Sequence, residues 1–430
     1  MIVLVSTYDL GRQPFGLASP AAFLRRAGHT VLSVDLSRDK LSESSVQRAD
    51  VIAFYLPMHT ATRLALPVIA RVRAMNPNAT LVAYGLYAQL NDALLRERGV
   101  SIVLGPEAEA DLVEVCGSGS FGAPLQKLKF IQPDRTGLPA LDRYASLQMP
   151  DGASRIVGST DATRGCKHRC RHCPIVPVYD GQFRVVPVDV VLADIRTQVE
   201  QGAAHISFGD PDFFNGPTHA RKIIEALHRE HPHVTYDAII KVEHLLAHRD
   251  LLPLLAATGC LFITSAVESV DDAVLAKLEK GHTRADFMAA AQLCREAGVT
   301  LVPTFVAFTP WTTIDGYMDL LRVVADLGLV SNVAPVQWGI RLLVTWQSRL
   351  LELPDVRSVI GPFDAKTLTF PWTHADPRVD ALQHQVMSLA GVRASRSRED
   401  IVATICELAQ VNVLLPARSA IPYLNEPWYC

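Results

Sequence analysis

Apolar and polar positions along the chain sort into two successive series of short strands and amphipathic helices. In residues 1–116, buried-type runs at 2–6, 30–36, 50–57, 79–86 and 100–105 read as strands. Helical spacing falls between them, near 61–75 and 89–97. A further helix is expected to start at Ser19-Pro20, with Ser19 as N-cap and Pro20 as first helical residue, and to end near Gly28. Apolar strands alternating with helices predict an α/β, Rossmann-like domain with a parallel sheet. Residues 117–150 are rich in Gly, Pro and Ser without a sustained period and read as a linker. Over 151–340 a second series gives strands at 154–160, 205–209, 234–240, 260–267, 300–308 and 333–340. Helical patterns separate them, at 188–201, 218–230, 271–280 and 284–297 among others. Six such units predict a partial (β/α)6 TIM-type barrel with its site at the C-terminal strand ends. Residues 341–430 form a C-terminal extension of less regular pattern.

Composition narrows this picture. At 430 residues, with 49% hydrophobic and 20% charged, the chain is globular and long enough for two or three domains. Forty-one basic residues against 44 acidic ones give a net charge of −3, which asks for neither nucleic acid nor an anionic membrane. The opening "MIVLVSTYDLG" has no basic segment of the secretory type, so no signal peptide is expected. The longest uncharged run, 251–267, is broken by Pro253 and Thr258-Gly259 and reads as a helix end feeding a buried strand. Eight cysteines, five scattered and three clustered, make a poor disulfide framework and point to a reducing cytoplasm.

The clustered three are the main chemical signal. "RGCKHRCRHC" places Cys166, Cys170 and Cys173 at C-x3-C-x2-C spacing, in a loop directly after the first barrel strand. Three thiolates can hold zinc, with His168 or His172 as fourth ligand. They can equally hold three irons of a [4Fe–4S] cluster, leaving the fourth iron open. The strand–loop–barrel context favours the cluster.

With this spacing the chain resembles the radical S-adenosylmethionine (SAM) superfamily over roughly residues 150–340. The resemblance implies that the open iron chelates the amino and carboxylate groups of SAM. An external one-electron donor then drives cleavage of a sulfonium C–S bond. His172 stands where many members carry an aromatic residue. In "FGDPDFF", Asp210 and Asp212 correspond to acceptors for the SAM amino end, although acidic residues with Pro also simply make turns. "IIKVEHL" puts Lys241 and Glu243 on one side of an extended segment. "TSAVES" resembles the ribose-contact strand and offers Glu268, whose other reading is a helix-start residue. "FVAFTPW" stands where members contact adenine, and Arg164 and Arg169 are candidates to offset cluster charge.

The first domain resembles the cobalamin-binding domains that precede many such barrels. It departs from them at the contact positions. "YDLGRQPFG" lacks the histidine of an Asp-x-His-x-x-Gly loop, and "YGLY" replaces a Gly-Gly pair, so Tyr84, Leu86 and Tyr87 are expected to fill corrin space. Cobalamin without a protein axial ligand and a cofactor-free domain both stay open. The ending "IPYLNEPWYC", with "STYDLGRQPFGLASPAAFLRRAGHT" and "FYLPMHTATRLALP", resembles a radical SAM subfamily closing with Cys-Sec-Ala-Glu-Pro or Cys-Cys-Ala-Glu-Pro. That subfamily is associated with arsinothricin biosynthesis. The resemblance implies that Cys430 is a catalytic thiol, first of a thiol–selenol or dithiol pair for a soft electrophile. It further implies transfer of the 3-amino-3-carboxypropyl group of SAM to arsenite. A cobalamin-dependent methylase, a 5′-deoxyadenosyl-radical enzyme and a non-catalytic zinc or redox-sensing protein are the alternatives. Cys116, Cys260, Cys294 and Cys406 read as buried fillers.

Overall fold

A computed structural model describes residues 1–117, 128–391, 397–415 and 420–425. Strands β1 (Ile2–Ser6), β2 (Val31–Asp35), β3 (Val51–Tyr55), β4 (Thr80–Tyr84) and β5 (Ile102–Val103) form one parallel sheet in the order β2-β1-β3-β4-β5. The central strands read as unbroken apolar runs because both faces are covered. Val3, Val5, Ile52 and Phe54 enter one core, whereas Ile2, Leu4, Val51 and Ala53 enter the other.

The first helix, Phe15–Arg26, starts upstream of the expected Ser19-Pro20 cap and carries Pro20 inside it. Proline has no N–H to give to the carbonyl four residues back. The Gly16 carbonyl left free accepts a hydrogen bond from the Tyr84 hydroxyl at 2.7 Å, so a distant strand supplies the missing donor. The segment expected as one helix at 89–97 forms two, Leu86–Leu90 and Asp92–Glu97, divided at Asn91.

The second sheet holds β6 (Ser146–Gln148), β7 (Ser154–Thr160), β10 (His205–Phe208), β11 (Thr235–Ile239), β12 (Cys260–Glu268), β13 (Thr300–Phe305) and β14 (Tyr423–Leu424). Their order is β13-β12-β11-β10-β7-β6-β14. A separate two-stranded ribbon pairs β8 (Thr163–Gly165) with β9 (Phe183–Val185). Five of the expected barrel strands are present and parallel, and helices such as Val188–Glu200, Pro217–Glu230 and Arg284–Ala297 cover their outer face. The run at 333–340 is not a strand. Pro335–Trp338 makes a 3-10 turn, and parallel pairing returns only as a bridge between Phe308 and Arg341. Pro335 cannot donate to a ladder. The Gln337 side chain instead accepts the Phe305 N–H at 3.0 Å, and Trp338 is wholly buried, stacked on Phe305.

The segment expected as linker contributes β6 and an anchor. Arg135 is buried, with its guanidinium on both Asp194 carboxylate oxygens at 2.8 Å, on Gln13 Oε1 at 2.7 Å and on the Ser159 carbonyl. It therefore ties the first domain, a barrel helix and β7 together. Among the described residues, no helix is long and apolar enough to cross a membrane. The run at 251–267 is, as expected, a short helix, Leu252–Ala257, feeding buried β12.

Candidate functional site

The three clustered cysteines lie between β8 and β9, above the C-terminal ends of the barrel strands. Gly165 starts the loop with φ 78°, and a Cβ there would sit 2.6 Å from the Gln182 carbonyl, so glycine is required. Asn215 holds the loop start, donating to the Gly165 carbonyl and accepting from Lys167 N, each at 3.1 Å. Arg171 secures the middle by donating to the Lys277 carbonyl at 2.6 Å. Cys166 and Cys170 are buried, Cys173 is partly buried, and all are free thiols. Burial pushes the Cys166 thiol up to about 11 and the Cys173 thiol up to about 12. Deprotonating them requires a cation, as a metal centre supplies. Lys241 Nζ lies 3.8 Å from Cys170 Sγ, and buried Lys280 also faces Cys170 and Cys173, so fixed positive charge surrounds the thiols. This donor set fits an anionic thiolate-bound iron–sulfur cluster.

Both histidines weighed as a fourth zinc ligand turn to carboxylates instead. His172 Nε2 is 3.1 Å from Glu268 Oε1, and His168 faces Asp212, His244 and Glu243. The two arginines expected to offset cluster charge are paired elsewhere, Arg164 with Glu109 and Arg169 with Asp180.

The remaining expected site residues cluster at the neighbouring strand ends. Asp210 is fully buried, accepting from Ala162 N at 2.9 Å and Thr163 Oγ1 at 2.6 Å, and burial pushes its carboxyl up to about 7. Asp212 is also fully buried; its Oδ1 accepts from Phe214 N at 3.1 Å. The two carboxylates thus shape the β7–β8 turn and the loop after β10. Lys241 and Glu243 do meet, at 3.3 Å, but not on an extended segment: Lys241 is the N-cap of the helix Val242–Ala247. Glu268 ends β12 with φ 68°, after a register shift that turns its side chain toward Lys280 and His172. Burial alone would raise its pKa, yet those two partners outweigh it and hold the carboxyl down to about 2. An ionised carboxylate therefore stands between Lys280 and His172, the residue that precedes the third cysteine. Lys280 belongs to no motif, and His244, although inside "IIKVEHL", was not singled out there, because each reaches the site only through the fold, from a separate turn or helix. Cys430 lies outside the described residues.

Two cavities adjoin this region. One, of about 340 Å³, lies where the first sheet faces the barrel, with Gly16, Tyr55, Tyr84, Glu109, Arg164 and Tyr179 in its walls. Tyr55 presses on the first helix so closely that a Cβ on Gly16 would be 2.1 Å from its Cζ. The Tyr55 and Tyr84 rings lie 5.5 Å apart, and Tyr84 is hydrogen-bonded in place. Such a volume suits a small ligand. The residues that line it include no histidine to serve as an axial ligand to a corrinoid. Tyr84 and Leu86 line this crevice together with Tyr55, whereas Tyr87 packs into the opposite core. The second cavity, of about 330 Å³, is the barrel interior, bounded by Asp237, Thr264, Thr304, Arg12, Arg398 and Tyr423.

Residues 161–322 match the radical SAM superfamily. A hopanoid C-3 methylase from Methylococcus capsulatus is 25% identical over 321 residues, spanning 70% of this chain and 62% of that protein. A tRNA-2-methylthio-N(6)-dimethylallyladenosine synthase from Vibrio vulnificus is 23% identical over 267 residues, 58% of this chain and 54% of that protein. The chain thus spans less than two thirds of the length of either relative. Among solved structures, the cobalamin-dependent SAM radical enzyme OxsB with aqua-cobalamin bound shares the fold at a TM-score of 0.70 and 14% identity, over 95% of this chain and 71% of that one. The radical SAM methyltransferase TsrM from Kitasatospora setae gives 0.62 and 16% identity, over 76% of this chain and 71% of that one.

Proposed function

We infer that this chain, a radical SAM enzyme whose radical SAM segment is residues 161–322, transfers the 3-amino-3-carboxypropyl group of SAM to trivalent arsenic. Cys166, Cys170 and Cys173 would hold a [4Fe–4S] cluster, which when bound would supply one-electron reduction of SAM. Around it the protein holds charge. Lys241 and Lys280 balance the thiolates, and ionised Glu268 is the acceptor for the ribose hydroxyls. Lys241 and Glu243 offer an ammonium and a carboxylate beside Cys170, which the zwitterionic end of SAM needs. Asp210 and Asp212 keep the bordering loop in shape.

The choice of second substrate is supported by the sequence resemblance that offers Cys430 as a soft thiol, and the last described strand before that residue is β14. It is antiparallel to β6, which is antiparallel to β7, so it runs the same way as β7, toward the cysteine loop. Cys430 lies six positions beyond Leu424, outside the described residues. The overall reaction takes SAM, arsenous acid and two electrons from an external donor. It breaks the Cγ–S bond, forms a C–As bond, and releases 5′-methylthioadenosine and hydroxide. A reducing cytoplasm is the setting we assign to it.

A cobalamin-dependent methylase is the second reading, favoured by the likeness to OxsB, TsrM and the hopanoid methylase. The tyrosine-lined crevice, without a histidine in its walls, argues against it. An anaerobic reaction with SAM, reductant and arsenite, read by mass spectrometry, decides between them. 5′-Methylthioadenosine with an aminocarboxypropyl arsenical is expected. S-Adenosylhomocysteine with corrinoid absorbance, or 5′-deoxyadenosine, would overturn the transfer. Cys166→Ala, Cys170→Ala and Cys173→Ala are each expected to abolish SAM cleavage, and retained turnover in any of them would remove the cluster assignment.

A further inference from the structure

Behind the cysteine loop lies a polar cluster of two histidines and a carboxylate. His168 comes from the loop itself, Asp212 from the end of β10, and His244 from the helix after β11. Their ligand-type atoms all lie within 4.8 Å of one another. Asp212 and His244 are 0% and 3% exposed. Asp212 Oδ2 and His244 Nδ1 are only 2.6 Å apart, yet neither makes a hydrogen bond, because the two are not aligned for one. His168 Nε2 approaches from the third side, 3.8 Å from Asp212 Oδ2 and 3.1 Å from His244 Nε2.

Asp212 Oδ2 and His244 Nδ1 are thus a buried ion pair that lacks a formed hydrogen bond, which is costly in a protein interior. A cation between them and His168 removes that cost. We propose that His168, Asp212 and His244 form a divalent transition-metal site, with zinc as the metal of choice, distinct from the cysteine-bound cluster. Two imidazoles and one carboxylate are a common zinc donor set, completed by water. Glu243, 3.5 Å from His168 Nδ1, backs that ring as carboxylates commonly back metal-bound histidines, and Asp212 Oδ1 is fixed by Phe214 N. The metal would pin the cysteine loop to the ends of β10 and β11, so His168, two residues from Cys166, would locate the cluster ligands.

Metal content tests this without SAM turnover, so it stands or fails separately from the proposed reaction. The full chain, anaerobically loaded with iron and sulfide and supplied with zinc, is expected to hold about four irons and about one zinc. Asp212→Asn and His244→Gln should lower zinc affinity by ~10-fold or more while iron stays. Cobalt(II) titrated into a Cys166→Ser/Cys170→Ser/Cys173→Ser variant should give weak d–d bands without thiolate charge transfer. Wild-type protein that takes up no zinc under excess metal would overturn the site. So would zinc that disappears with the cysteines and persists in both the Asp212 and His244 variants.

Discussion

His282 shows how one side chain sets the response of this site to pH. Its Nε2–H donates to the Val267 carbonyl at 3.2 Å, and Nδ1 is buried without a partner. Burial first, then the charge of Lys280, push the imidazole down to about 4. In the unfolded chain the same ring titrates near ~6.5 and so takes up protons more readily than in the fold. Its neutral form therefore leaves stability intact above that value. The fold loses stability as pH falls toward about 4, by an amount on the order of 3 kcal/mol, and no more below. Glu268 works in a lower window, since its depressed pKa keeps its contribution until pH falls from the ordinary glutamate range toward about 2. Urea midpoints at about pH 7 and about pH 5 should fall together for the wild type and much less for His282→Gln. Equal slopes in the two proteins would show that another group titrates.

At the level of elements, the first helix and β3 meet at one point with no spare room. Gly16→Ala would place a methyl inside the Tyr55 ring, and the resulting shift should destabilise the first domain by about 1–3 kcal/mol, measured by denaturant titration. The same helix shows where sequence pattern stops being informative. Ser19-Pro20 reads as a helix start because proline belongs there locally, but the Tyr84 hydroxyl, from β4, makes an interior proline tolerable. Strands β1, β3 and β4 were legible because burial on both faces leaves long apolar runs. The run at 333–340 is equally apolar, yet it is buried through Trp338 and Gln337 rather than a ladder, a difference that composition does not record. Strands β6 and β14, three and two residues long, are too short to carry a period. The cysteine triplet was legible because its ligands are consecutive on one loop. Lys280, His244 and Tyr55 join the site through the fold.

For the whole molecule, the buried Arg135–Asp194 pair is the joint between halves, since the same guanidinium also holds Gln13 and the Ser159 carbonyl. Removing one partner strands a charge in the interior. Arg135→Met or Asp194→Leu alone should cost about 3–5 kcal/mol, and the double substitution distinctly less than their sum. A thermodynamic cycle from urea unfolding reads this directly; strict additivity would mean that the two residues act independently. The barrel beyond that joint is closed at its side by β14, two residues whose partners in β6 lie most of the chain away. So short a pairing gains little enthalpy against the entropy of so long a loop. It is expected to fray before the parallel strands, by local opening rather than by global unfolding. Opening of that pairing would uncover the side of the barrel interior that Tyr423 and Leu424 line, and faster amide exchange at these two residues than in β10–β12 is the expected readout.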